Sequence, residues 1–150
     1  IFTALTGALG EGKRGPGNQP PHRQSEELAR LLLDEGASPN DGQALYNRMF
    51  RHGPGNRCIE LLLSYGLEAS DQVNWCSDGE SSVGTLDFLL EHAAKQGFAY
   101  RVALLLENGA NPNFAGFYKP RKTPYAHALE RGYEQVTAML KEAGAHPTEE

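Results

Sequence analysis

Cysteine is nearly missing from this chain: Cys58 and Cys76 are the only two in 150 residues. One disulfide cannot stand in for a hydrophobic core at this length. The fold therefore rests on packing, and a reducing, cytoplasmic setting is expected. Long apolar runs are missing as well. No stretch approaches the ~18 residues of a membrane-spanning helix, and no N-terminal segment has the charged-then-apolar order of a secretion signal. Positive charge is short: 14 Lys and Arg stand against 19 Asp and Glu, a net charge of -5. Nonspecific phosphate binding needs a basic face, so nucleic acid is disfavoured as a partner. Tryptophan occurs once, at Trp75. Glycine (17) and proline (9) are plentiful and imply frequent turns, while the 39% of apolar residues suffices for a core. At ~100–200 residues per domain the expectation is a single domain over 1–150. The opening at Ile1 suggests a piece of a longer protein.

Glycine punctuates the chain in a repeating way. Leu31-Leu32-Leu33, Leu61-Leu62-Leu63, Leu104-Leu105-Leu106 and Met139-Leu140-Lys141 are each followed, three residues on, by glycine: Gly36, Gly66, Gly109 and Gly144. Glycine just past an apolar helical run reads as a left-handed helix stop. Pro39, Pro112 and Pro147 then block any continuation in three of the four cases. A second motif precedes each run: two small or apolar residues, two variable ones, then glycine. The pairs are Ala8-Leu9 before Gly12, Met49-Phe50 before Gly53, Ala93-Ala94 before Gly97, and Ala128-Leu129 before Gly132. Each unit therefore reads as a helix, a glycine turn, a second helix and a glycine stop. The stops are 30, 43 and 35 residues apart, which localises insertions between regular helices.

The last unit is the clearest. In Lys122-Thr123-Pro124-Tyr125-Ala126-His127-Ala128-Leu129-Glu130-Arg131-Gly132-Tyr133, Thr123 is a good N-cap and Pro124 suits the first helical position. This stretch resembles the Thr-Pro-Leu-His-x-Ala-Ala-x-x-Gly-His motif of ankyrin repeats. Gly-Ala-Asn-Pro-Asn at 109–113 resembles the Gly-Ala-Asp-x-Asn entry to that family's hairpins, and Thr3-Ala4-Leu5-Thr6-Gly7-Ala8-Leu9 repeats the helix start in weaker form. The resemblance covers units at about 1–36, 42–66, 85–109 and 122–144, against a family period of ~33 residues. It implies an all-α, ankyrin-like solenoid of about four helix-turn-helix repeats, each burying its stripe against its neighbours.

The connections depart from that pattern. Lys13 to Gln24 is a polar, Gly/Pro-rich insert, the link from Ala37 to Asp41 is short, Asp71 to Thr85 carries about ten extra residues, and Phe114 to Arg121 about two. Lys141, Glu142 and Glu134 make the last helix polar, as an end unit requires, whereas Ile1-Phe2 opens apolar and leads us to expect a preceding repeat or cap.

Enzyme-like signals are few. Gly7-Ala8-Leu9-Gly10-Glu11-Gly12-Lys13 has the spacing of a phosphate-binding loop, the basis of an alternative nucleotide-binding or enzymatic reading. However, Arg14 stands where the magnesium-binding hydroxyl belongs, and Gly15-Pro16-Gly17 prevents the helix that should follow. Gly79-Glu80-Ser81-Ser82-Val83-Gly84 has glycines five apart, where a nucleophile elbow needs four. The histidines His22, His52, His92, His127 and His146 form no ligand pair at zinc spacing. His92 and His127 read as packed or groove-facing residues, Cys58 as an inert core thiol, and Cys76 as a loop thiol. No catalytic residue, metal or cofactor is expected.

Recognition signals are stronger. Cys58 to Ala94 holds seven acids and no Lys or Arg, whereas the later connection has Lys119, Arg121 and Lys122. Such an arrangement serves either attraction between neighbouring loops, worth ~0–1 kcal/mol per pair, or steering of a partner. Trp75 falls in the third connection and Phe114, Phe117 and Tyr118 in the fourth. Loop aromatics beside charges suit interface anchors, although Trp75 could instead seal its own insertion. The family resemblance implies a noncatalytic, monomeric protein-binding module that uses its finger loops and concave helix face. Its expected partner-binding residues are Trp75, Phe117, Tyr118, Lys119, Lys95, Arg131, Lys122 and Arg51, and the partner is an unidentified protein rather than a membrane or nucleic acid. A purely structural spacer in a larger protein is the remaining alternative.

Overall fold

The computed structural model describes residues 3–10, 22–75 and 81–147. Ile1, Phe2, Gly12, Lys13, Cys76, Gly79, Glu80 and most of the 13–24 insert lie outside them, so the expectations placed on those residues have no structural counterpart. Among the described residues the chain is mostly helical, with eight helices and one short β-ladder. None of these helices is long and apolar enough to cross a membrane. The chain divides into two compact units, Ile1–Leu67 and Glu68–Glu150.

The first unit holds α1 (Ala4–Leu9), α2 (Ser25–Asp34), α3 (Gly42–Arg48) and α4 (His52–Ser64). Helix α1 packs against α2 and α3, and α3 against α4. Leu5, Leu9, Leu45, Ile59 and Leu62 form the core, and Cys58 is buried there with them. The helix starts are tied together by one carboxylate. Thr3 Oγ1 accepts the Thr6 N–H at 3.1 Å and caps α1, while Asp41 Oδ1 accepts the Ala44 N–H at 2.9 Å and caps α3. Asp41 also accepts the hydroxyls of Thr3 and Thr6. One buried acid thus satisfies groups from two helix N-termini, where each such cap is worth ~1 kcal/mol. Arg48, also buried, donates to the carbonyl of Leu9, the last residue of α1.

The second unit holds β1 (Gln72–Val73), β2 (Val83–Gly84), α5 (Thr85–Gln96), α6 (Ala99–Glu107), α7 (Pro124–Glu130) and α8 (Glu134–Glu142). Helix α5 packs on α6 and on α7, α7 on α8, and α6 on α8. Two hairpins therefore lie side by side, first helix against first and second against second. Leu89, Leu90, Leu105, Val102 and Leu140 are buried between them, at ~1.5–3 kcal/mol for each fully buried side chain. The antiparallel ladder pairs Gln72 with Gly84 and Val73 with Val83. It is a minor addition to a mostly helical chain, in keeping with the expected all-α class. Two residues per strand are too few to show an alternating pattern, and the pairing is fixed by burial of Val73 and Val83 at its inner end.

The stop glycines all lie in the left-handed region, with φ from 93° at Gly109 to 106° at Gly66. Each closes its helix by the same pair of backbone hydrogen bonds. In α6 the Gly109 N–H donates to Leu106 O and the Ala110 N–H to Leu105 O, at 3.1 and 3.0 Å, and the ends of α2, α4 and α8 repeat this. The turns after α5 and α7 match as well: Gly97 and Gly132 both have φ 74°, and Phe98 and Tyr133 each donate back to an alanine carbonyl. Helix α1 ends at Leu9 with Gly10 as its C-cap, and the expected turn at Gly12 lies outside the described residues. One expected turn glycine is placed differently. Gly53 lies inside the first turn of α4, not between α3 and α4. There Met49 is right-handed and the Arg51 N–H reaches Arg48 O at 3.2 Å, so the turn needs no positive φ. Gly7, from the phosphate-loop-like stretch, is in the middle of α1.

Candidate partner-binding site

The connection from α6 to α7 is tied down at several points. It leaves α6 through Asn111, whose N–H donates to Asp87 Oδ1 at 2.7 Å. Asn113 then ties this connection to the end of α8, since its Nδ2 donates to Gly144 O and its Oδ1 accepts the His146 N–H. At Gly116 the chain closes on itself. Its φ is 91°, and a Cβ there would sit 2.5 Å from the Lys122 carbonyl oxygen and 2.7 Å from the Lys122 nitrogen. Only glycine allows that approach.

Between Gly116 and Lys122 the loop has an anchored base and an exposed tip. The Phe117 N–H donates to Glu91 Oε2 at 2.9 Å, and the Phe117 ring meets Phe88 edge-on at 5.1 Å. Lys122 donates to both carboxylate oxygens of Glu130 at 2.8 Å, which holds the Glu130 carboxyl below its ordinary range. Thr123 caps α7 by accepting the Ala126 N–H at 3.2 Å, with Pro124 at the first helical position as the sequence predicts. Tyr118, Lys119, Pro120 and Arg121, in contrast, are exposed.

Phe88, only 2% exposed on α5, gathers the aromatics. Trp75 packs edge-on against it at 4.5 Å, Phe117 at 5.1 Å and Tyr118 at 6.0 Å, while Phe117 and Tyr118 also meet at 4.9 Å. Three expected binding residues are thereby brought together, but in unequal positions. Trp75 and Phe117 are half-buried, and Tyr118 keeps 55% of its surface in water.

The remaining expected residues are spread out. Lys95 is half-buried in the last turn of α5, and Arg131 is exposed at the end of α7, the neighbouring helix. Lys122 is engaged by Glu130 at the loop base. Arg51 is exposed at the start of α4, in the first unit.

Sequence reasoning missed Glu91, which is 5% exposed. Besides holding Phe117, its Oε1 lies 3.3 Å from His127 Nε2 on α7. Its signal was an acid at the centre of the apolar run Phe88-Leu89-Leu90-Glu91-His92-Ala93-Ala94. Next to it, His92 packs edge-on to Phe98 at 6.2 Å, and the Arg101 guanidinium lies 4.9 Å from the Phe98 centroid. Burial, then the charges of Arg101 and Lys95, push His92 down to about 4. The two histidines thus sit in different surroundings, His92 against Phe98 and His127 against Glu91. Among the described residues no cluster of three His, Cys, Asp or Glu side chains could hold a metal ion.

Compared with protein-family models the chain matches none, and a comparison with curated proteins also finds no match.

Proposed function

We propose that this chain is a noncatalytic protein-binding module of four ankyrin-like helix pairs, two in each unit, and that the α6–α7 loop is its main contact. The observation that carries this reading is a tip of Tyr118, Lys119, Pro120 and Arg121 held out on a base fixed by Gly116, Glu91 and Lys122. A loop ordered before binding loses little conformational entropy on contact, so its side chains contribute affinity directly. Tyr and Arg are the residue types that concentrate binding energy at interfaces. In this reading Tyr118 and Lys119 touch the partner, and Lys95 and Arg131, at the C-terminal ends of α5 and α7, offer further contacts. Trp75 and Phe117 support the loop through Phe88, and Arg51 offers a separate contact on the first unit. The scarcity of cysteine suits a reducing, cytoplasmic location.

A pull-down comparing the wild-type chain with a Tyr118→Ala/Lys119→Ala variant tests the assignment. Proteins held by the wild type should be lost by the variant, with circular dichroism and melting temperature unchanged. Equal retention of every captured protein would show that this loop is not the contact.

A further inference from the structure

We propose that the tip Tyr118–Arg121 docks an acidic segment of a partner protein. Carboxylates of that segment lie on Lys119 and Arg121, and one of its apolar side chains lies on the exposed part of Tyr118. This rests on the protein-binding reading above and narrows it to one chemical class of partner.

Charge supplies the first argument. No Asp or Glu occurs between Glu107 and Glu130, while three cations fall within Lys119–Lys122. Lys122 is already satisfied by Glu130. Lys119 and Arg121 are exposed and form no ion pair with any described residue. The loop is thus a local inversion of sign on a chain whose net charge is -5. A basic partner segment would be repelled here. Two available cations are also too few for nucleic-acid affinity, which grows with each phosphate neutralised.

Geometry supplies the second. Tyr118 is held by edge contacts to Phe117 and Phe88 yet remains 55% exposed, a fixed apolar surface immediately beside Lys119. Arg121 offers a planar fork that grips a carboxylate through two parallel hydrogen bonds, which an ammonium cannot reproduce.

The test is fluorescence anisotropy of the whole chain with a labelled short peptide of Glu and Asp carrying Leu at its centre. A Lys-rich peptide with the same centre and a single-stranded oligonucleotide serve as comparison probes. The acidic peptide should bind saturably and the other two much more weakly. Lys119→Glu with Arg121→Glu should reduce affinity about tenfold or more and flatten its salt dependence. Arg121→Lys should weaken it measurably, since charge alone is retained. Both positions are exposed, so thermal melts should stay unchanged. Equal binding of the acidic peptide by the reversed variant, or tighter binding of the oligonucleotide, overturns the proposal. If the acidic peptide is ignored while Tyr118→Ala/Lys119→Ala still loses captured proteins, the acidic class falls and the protein-binding reading stands. If both experiments fail, both fall.

Discussion

Acidification from neutral pH should destabilise the second unit through one side chain, His92. The folded chain holds this imidazole half-buried among Phe98, Arg101 and Lys95, and its pKa drops from 6.5 to about 4. The unfolded chain titrates near the ordinary value. Between 6.5 and about 4 the unfolded state therefore binds one proton more than the folded state. Stability follows proton binding, so this contribution is complete above the unfolded value, falls as pH drops through the window, and levels off below the folded value. At 1.36 kcal/mol per unit the full shift corresponds to about 3 kcal/mol, and the part of the ring that still meets water reduces this to about 2 kcal/mol.

Urea unfolding at a series of pH values, on the wild type and on His92→Gln, isolates the effect. Carboxylates that titrate in the same range are common to both chains and cancel in the difference. Across the window the wild type should lose about 2 kcal/mol more than the variant, whatever their relative stability at neutral pH. The imidazole resonance of His92, followed by NMR, should titrate well below those of exposed histidines. Parallel stability curves, or a His92 resonance titrating near the ordinary value, would refute the argument.

Gly116→Ala forces a Cβ into the Lys122 backbone at a positive φ and should cost about 2–3 kcal/mol; the emission of Trp75, the only tryptophan, reports the shift of the adjoining aromatics. Asp41→Ala removes the α3 cap and the acceptor of two hydroxyls, and should cost about 2 kcal/mol in thermal unfolding. Glu91→Leu leaves the Phe117 N–H without its acceptor and should cost about 2 kcal/mol, whereas Glu91→Gln, which can still accept that bond, should lose about half as much. Lys119→Ala with Arg131→Ala should stay within about 0.5 kcal/mol of the wild type in stability, since both are exposed, and yet weaken capture of partners. Paired substitution of Trp75 and Phe117 should instead destabilise the unit through Phe88, visible as a lowered melting temperature, and so cannot serve as a surface test.

The features legible in the sequence are those that depend on one residue and its immediate neighbours. A left-handed helix stop needs glycine, and Gly36, Gly66, Gly109 and Gly144 stand where the helices end. The Thr123-Pro124 start was readable for the same reason: capping spans three residues. Gly53 shows the converse. The motif that preceded it looked like its counterparts, but a right-handed Met49 made the turn without help, and the glycine was left inside α4. A pattern of residue types does not reveal which of two competing local geometries the packing selects. The short ladder at Val73 and Val83 escaped because its pairing crosses ten residues and leaves no periodic trace.

The candidate site divides along the same line. Its exposed chemistry, Tyr118 and Lys119, was visible as aromatic and basic residues in a loop. What makes that loop a fixed platform depends on residues far away in the chain. Glu91 reaches Phe117 from 26 positions upstream, and Phe88 collects rings from both Trp75 and Tyr118. Without those contacts the same residues would sit on a floppy connection, and each would have to be immobilised on binding, at ~0.5–1.5 kcal/mol per side chain. On the proposed reading, the buried acid on α5 therefore bears on recognition although it lies outside the exposed tip. Its replacement by leucine should weaken partner capture together with stability, whereas charge reversal at Lys119 and Arg121 should weaken capture alone. Those two signatures separate the scaffold from the contact.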